Sequence, residues 1–233
     1  MNPPLRLLSA GAAQGVVSAL APTFENEMRC ELRASFMPVG ALREKFLAGE
    51  ACDVVVSTET MLERFGLDSR VDRATISRLG TVHTSIAVRA GEPLPGIDSR
   101  DRLSAALSAA PRIYFPDPER ATAGIHFVKV LRELGLYEKL APRLAAHANG
   151  AAAMAALATA DETGCLGCTQ ATEIRFTDGV MLVGPLPAPY DLGTTYAAAA
   201  SASTRDPALA RRLVALLAGS DAASLRSAAG FEP

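Results

Sequence analysis

The sequence predicts an α/β protein with two lobes, and three observations predict it. First, short β-type runs alternate with helical patterns from the start of the chain; "DVVVS", Asp53–Ser57, is the clearest strand. Second, this rhythm breaks after Gly80, where a longer β-type run, Thr81–Arg89, opens a second set of elements that closes at Tyr196–Ala200. Third, 233 residues at 49% hydrophobic and 21% charged hold enough apolar material for a large core in one domain or two lobes. The expected lobes are residues 1–80 with 196–233, and residues 81–195, the chain crossing twice. Each would be a mainly parallel sheet flanked by helices.

The elements follow in order. Leu5–Ser9 reads as a buried strand, and Gln14–Met28 as a helix with Val16, Val17, Leu20 and Phe24 on one face. Glu31–Phe36 is a strand, and Ala41–Ala48 a helix stopped by Gly49. After Asp53–Ser57, Thr58 or Thr60 caps a helix over Met61–Phe65. Beyond Thr81–Arg89 come a Gly/Pro loop, a helix over Asp98–Ala110 with an Asp cap, and a strand at Arg112–Phe115. Helices are expected at Ile125–Leu134, Tyr137–Ala146 and Ala151–Ala160. A strand at Gly164–Thr169, a short helix at Ala171–Arg175 and a strand at Val180–Val183 precede the run at Tyr196. "DPALARRLVALLA", Asp206–Ala218, combines an Asp cap with Pro in the first turn, and Ala222–Ala229 is a last helix.

Composition excludes several functions. Net charge is −2, Lys and Arg are scattered, and no basic run interleaved with aromatics suggests a nucleic-acid partner. Trp is absent, which argues against a sugar site of stacked rings. No window holds about 18 apolar residues, so no membrane insertion is expected. The N-terminus lacks a signal-peptide pattern, so the expected location is periplasmic if the chain is a trimmed mature form and cytoplasmic otherwise. Cys165 and Cys168 have CxxC spacing, but no second pair completes a metal site. Small core hydrophobes or a redox pair both fit, although a strand would turn residues three apart to opposite faces. No metal and no cofactor is expected.

Three segments share one design. "SAGAAQG" follows the first strand, "FMPVGAL" the second, and "DPERATAGIHF" leads into a helix of the second lobe. Each delivers small residues to a helix N-terminus, where exposed N–H groups carry about half a positive charge. Either these turns cradle an anion, or the small residues merely permit tight corners. Candidate binding positions are Ser9, Gly11, Ala12 and Ala13; Pro38 and Val39; Thr58; Thr122, Gly124 and His126; and Thr169 and Gln170. Ser9 could equally face the core, and Ser57 and Thr58 could serve only as caps. Arg43 could grip an anion with two N–H groups or simply be solvated. His126 and His83 are the candidates if a proton is moved, although a lone His is often structural.

"LRLLSAGAAQGVVSALAPTFE" and "ELRASFMPVGALREKFLAGEACDVVVST" resemble the opening of the molybdate-binding proteins of ABC importers. "FPDPERATAGIHFVKVLRELGLYEKLAPRL" and "TGCLGCTQATEI" resemble that family's later helix, strand and turn, in the same order. The resemblance implies a type II periplasmic-binding fold, with a ligand cleft between two lobes that close on an oxyanion. It also shows departures. The family's oxyanion serines correspond to Ala12 and to Pro38–Val39, and its tyrosine to Gln170. A buried dianion needs many donors, so this set disfavours molybdate or tungstate. Thr169, Gln170 and Glu173 match the "T-Q-x-x-E" of a broader branch that includes organic-acid proteins and an aconitate isomerase.

Two functions are therefore expected. One is capture of a small anion, an organic carboxylate before a metal oxyanion, for an ABC permease. The other is isomerisation of an unsaturated organic acid, with His126 or His83 as base and helix ends as the electrostatic cradle. A cytoplasmic ligand sensor ranks third, because no helix-turn-helix precedes the first strand.

Overall fold

The computed structural model describes residues 3–233. The chain divides into two compact units, Met1–Val82 with Thr194–Pro233, and His83–Gly193. The first unit opens with β1 (Leu5–Ala10), a 3-10 turn (Gly11–Ala13), α1 (Gln14–Met28), β2 (Leu32–Met37), α2 (Val39–Leu47), β3 (Val54–Thr58) and α3 (Glu59–Leu67). β4 (Ser77–Arg89) carries the chain into the second unit. There follow α4 (Arg100–Ala109), β5 (Ile113–Pro116), α5 (Thr122–Glu133), α6 (Tyr137–Leu140), β6 (Leu144–His147) and α7 (Gly150–Ala158). β7 (Leu166–Gln170), α8 (Ala171–Phe176) and β8 (Val180–Pro185) complete it. β9 (Gly193–Ala200) returns the chain to the first unit, which ends with α9 (Pro207–Ala218) and α10 (Ala223–Ala229).

In the first unit β1 lies parallel to both β2 and β3, and β9 runs antiparallel to β3. Val54, Val55 and Val56 are fully buried. That is why this run reads as an unbroken apolar string instead of an alternating one. Leu42 and Phe46 of α2 meet Leu62 and Phe65 of α3 over Val55, the two rings 4.7 Å apart. Full burial of each such side chain contributes about 1.5–3 kcal/mol. Gly49 ends the α2 turn at φ +85°, which only glycine adopts without cost.

In the second unit β5 pairs in parallel with β6 and β7, while β4 pairs antiparallel with β7 and β8. One face of β7, with Cys168, packs with Ile86 against Phe127 and Val128 of α5. The other face meets α7: a Cβ on Gly167 would press on the ends of the Met154 and Leu157 side chains, which would have to shift.

Three expectations about elements need correction. The pattern over Tyr137–Ala146 predicts one helix, but the helix stops at Leu140 and β6 follows. Pro142 interrupts the ladder, and the Arg143 guanidinium donates to the Ser108 and Ala110 carbonyls at 3.0 and 2.9 Å. The parallel partner β5 then makes Leu144–His147 a strand. At α4 the cap is Ser99, whose hydroxyl accepts from Arg102 N; Asp98 instead pairs with the Arg102 side chain at 2.8 Å. At α3 the helix begins earlier than predicted, and Thr58 holds the cap position without a side-chain cap bond.

Candidate functional site

The N-termini of the helices of nine residues or more fall into two classes, and the shorter α6, α8 and α10 lack a side-chain cap as well. α4, α7 and α9 are capped by Ser99, Asn149 and Asp206, each accepting a backbone N–H. The turn into α1, and the starts of α2, α3 and α5, have no side-chain cap. The positions before them are Ala10 and Ala13, Pro38, Thr58 and Ala121. A helix leaves its first four N–H groups without internal partners, and a capping side chain normally serves one of them. Where the cap is absent, those donors and the positive end of the dipole are available to an outside anion.

In the first unit the predicted residues occupy these turns in different ways. Gly11, Ala12 and Ala13 form the 3-10 turn itself, with Ala12 and Ala13 buried. Ser9 is fully buried, and its hydroxyl donates to the Ala10 carbonyl at 3.0 Å, so it serves its own strand. Pro38 and Val39 start α2 half-buried. Thr58 lines a cavity of about 530 Å³ together with Thr60, Met61, Arg43 and Arg64. Among the described residues, neither arginine makes an ion pair. Asp68 is the acid on the rim. The Thr58 and Thr60 hydroxyls are 3.5 Å apart. Two guanidinium groups and two hydroxyls on one cavity suit an anion. Arg64 is missing from the expected set, yet its signal is simple: it lies one helical turn after Thr60, on the same face.

In the second unit Asp117 builds the corner before α5. Its side chain accepts from Glu119 N and Arg120 N at 2.8 and 3.0 Å. Thr122 and Gly124 lie in the first turn of α5. A Cβ on Gly124 would overlap the Pro116 and Asp117 carbonyls, so this glycine lets the helix approach the strand end. His126, half-buried, places Nε2 2.7 Å from the Tyr190 carbonyl. A carbonyl only accepts, so Nε2 carries a hydrogen. His83 Nδ1 donates to Asp191 Oδ1 at 2.8 Å. Both histidines therefore grip consecutive residues of one loop.

Thr169 and Gln170 are both buried but face opposite ways, as neighbours in a strand must. Thr169 turns toward α7 and donates to Glu173 Oε2 at 2.5 Å. The Glu173 carboxyl also accepts from the backbone of Gln170 and Gly150. Burial raises its pKa and outweighs those three hydrogen bonds. With Asn149 accepting from Ala152 N at 2.8 Å, the start of α7 is closed by the protein's own groups. Gln170 faces the other way, opposite Thr84 in the β4 ladder and on the α5 side with Cys168 and Ile86.

The four cysteines are free and buried, with Cys165 in the α7 layer and Cys168 in the α5 layer. No group of side chains among the described residues could hold a metal ion, and no helix there is long and apolar enough to cross a membrane.

With this geometry in hand, the chain can be placed among known proteins. It is similar to an aconitate isomerase from Pseudomonas sp, 26% identical over 236 residues, covering 98% of this chain and 87% of the relative. It is also similar to the molybdate-binding protein ModA of Escherichia coli (strain K12), 24% identical over 186 residues, 78% of this chain and 71% of the relative. The periplasmic molybdate-binding protein of Azotobacter vinelandii superposes with a TM-score of 0.77 at 21% identity, over 98% of this chain and 99% of that one. The fold is thus that of the type II periplasmic binding proteins. The model of the bacterial extracellular solute-binding proteins matches residues 5–232, and the chain belongs to that family.

Proposed function

We propose that this protein binds a small organic carboxylate and passes it to an ABC permease. The observation that carries this reading is the division of the helix ends. Among the helices of nine residues or more, those after β1, β2 and β3 and at the start of α5 lack side-chain caps, while α4, α7 and α9 are capped. Arg43 and Arg64 beside Thr58 add positive charge to the same unit as the first three. A carboxylate is favoured over a tetrahedral metal oxyanion for two reasons. Ala12 and Pro38 offer no hydroxyl, and Gln170 offers an amide that both donates and accepts.

A thermal-shift series with citrate, cis-aconitate, malate, sulfate and molybdate tests this. A ligand at one hundred times its Kd stabilises by about 2.7 kcal/mol. For a chain of this size that is a Tm rise of roughly 5–10 °C. A rise with carboxylates alone supports the proposal. A rise with molybdate alone replaces it with oxyanion binding, and no rise with any anion removes it.

A second reading is favoured by the likeness to the aconitate isomerase. An isomerase needs a base that takes a proton from one carbon and returns it to another, and a cradle for the enolate-like intermediate. The Nε2–H of His126 is engaged by the Tyr190 carbonyl, so Nδ1 is the nitrogen left to act as base, and His83 is oriented by Asp191 in the manner of a base held by a carboxylate. Turnover of cis-aconitate followed by proton NMR, in the wild type and in His126→Ala and His83→Ala, decides it. No turnover in the wild type leaves the binding reading alone. Loss in one variant only names the base.

A further inference from the structure

We propose that the second unit carries a separate binding site, for a neutral and mainly apolar small molecule, at the end of its sheet away from Gln170. A cavity of about 710 Å³ opens where β4 ends and β7 begins. That is within the usual size of small-molecule pockets. Val88 and Leu166, both buried, line it from the sheet. Pro93 and Pro95 line it from the loop after β4, and Ala106 and Pro111 from α4 and the segment that follows. The ladder fixes its place: Ala87 pairs with Gly167, and Ile113 with Leu166. The cavity therefore lies at the start of β5 and β7, whereas Gln170 and the first turn of α5 follow the ends of those strands. The inference goes beyond the carboxylate reading and does not depend on it.

The lining decides the class of ligand. Proline and alanine side chains neither donate nor accept hydrogen bonds, and proline rings fix their own φ, so the walls are preformed and little order is lost on binding. Arg89 and Glu92 are the charged residues of the lining, and they cancel. Arg89 Nη2 lies 2.7 Å from Glu92 Oε1, with the Glu92 side chain only 10% exposed. The other Glu92 oxygen accepts from Gly164 N at 2.9 Å, and the Arg89 guanidinium also donates to the Ala160 carbonyl. An ion entering here would give up water and meet no net counter-charge, a cost that an uncharged molecule does not bear. A guanidinium has more N–H groups than these bonds use, and Arg89 keeps 28% of its side chain exposed. It can thus give one polar contact, to a carbonyl or hydroxyl oxygen on an otherwise apolar ligand.

Benzamidine, benzamide and benzoate have nearly one shape and are cationic, neutral and anionic. In protein with isotope-labelled glycine, benzamide should shift the amide resonances of Gly91 and Gly164, which line the cavity. The two ions should need about tenfold higher concentration for the same shift. Saturating citrate should leave the benzamide shifts in place. Glu92→Gln keeps the side chain's size and an acceptor for Gly164 N but leaves Arg89 uncompensated, so benzoate should overtake benzamide at these two resonances. Ala109→Phe, at an exposed position of the lining, should fill the mouth and abolish the shifts while the other glycine resonances stay in place. No shift at Gly91 or Gly164 with benzamide, an equal response to all three probes, or loss of the shifts in citrate overturns the site. So do shifts that persist in Ala109→Phe, or an unchanged preference in Glu92→Gln. None of these outcomes touches the carboxylate reading, which the thermal-shift series decides by itself.

Discussion

Gly150 and Glu173 exclude any side chain between them. A Cβ built on Gly150 would overlap the Glu173 carboxyl and the Thr169 hydroxyl, and the Gly150 N–H is itself a donor to that carboxyl. The chain has thus filled one of its own helix N-termini with an internal acid. Gly150→Ala should destabilise the protein by on the order of 3 kcal/mol, because the clash is with a fully packed polar cluster and not with a flexible tip. Urea unfolding checks this, and a loss under about 1 kcal/mol would show that the cluster can relax.

The same acid should shape the pH dependence of stability. Burial raises the pKa of Glu173 in the folded protein. Between its unfolded and folded values the folded state holds more protons, so stability falls as pH rises through that window. Glu173→Gln should flatten this part of the Tm-against-pH curve, beginning at the ordinary glutamate range and extending upward. Parallel curves for variant and wild type would show that the group does not titrate in folding.

Arg43 and Arg64 should matter to ligand and not to fold. Both are exposed and neither makes an ion pair among the described residues, so each alanine variant should stay within about 0.5 kcal/mol of the wild type. The double variant should weaken carboxylate binding about tenfold or more in calorimetry, and the loss should shrink at high salt. Unchanged affinity would assign the cavity beside Thr58 to no part of the site.

The thiols should be inert while the protein is folded. Cys52 donates to the Val54 carbonyl at 2.8 Å, and burial pushes its pKa up to about 12. Burial also raises Cys165 and Cys168. A thiol kept protonated is a poor nucleophile. An aromatic disulfide reagent at neutral pH should therefore react slowly with the native protein and with four thiols after denaturation. Rapid reaction of two thiols in the native state would revive the redox reading of the CxxC pair.

Much of the fold could be read from local pattern because local pattern is its cause. Val54–Val56 reads as a strand because it is buried on both faces, and Asp206–Pro207 marks the start of α9 because capping and proline geometry act within a few residues. Leu144–His147 could not be read this way, since its strand exists only through pairing with β5 about thirty residues earlier. The candidate site divides along the same line. Small residues after strands are visible in one dimension. The capped and uncapped helix ends, the cavity that gathers Arg43 and Arg64, and the meeting of Thr84 with Gln170 are relations between distant segments.

By itself, then, the sequence determined the α/β alternation and the small-residue corners, each a property of residues a few positions apart. The tertiary structure decided which hydroxyls were already spent and which were left without a partner. Ser9 and Thr169 donate within the protein, while Thr84 and Thr172 do not. The physical reason is that a hydrogen bond depends on distance and direction between atoms, and burial on everything packed around them.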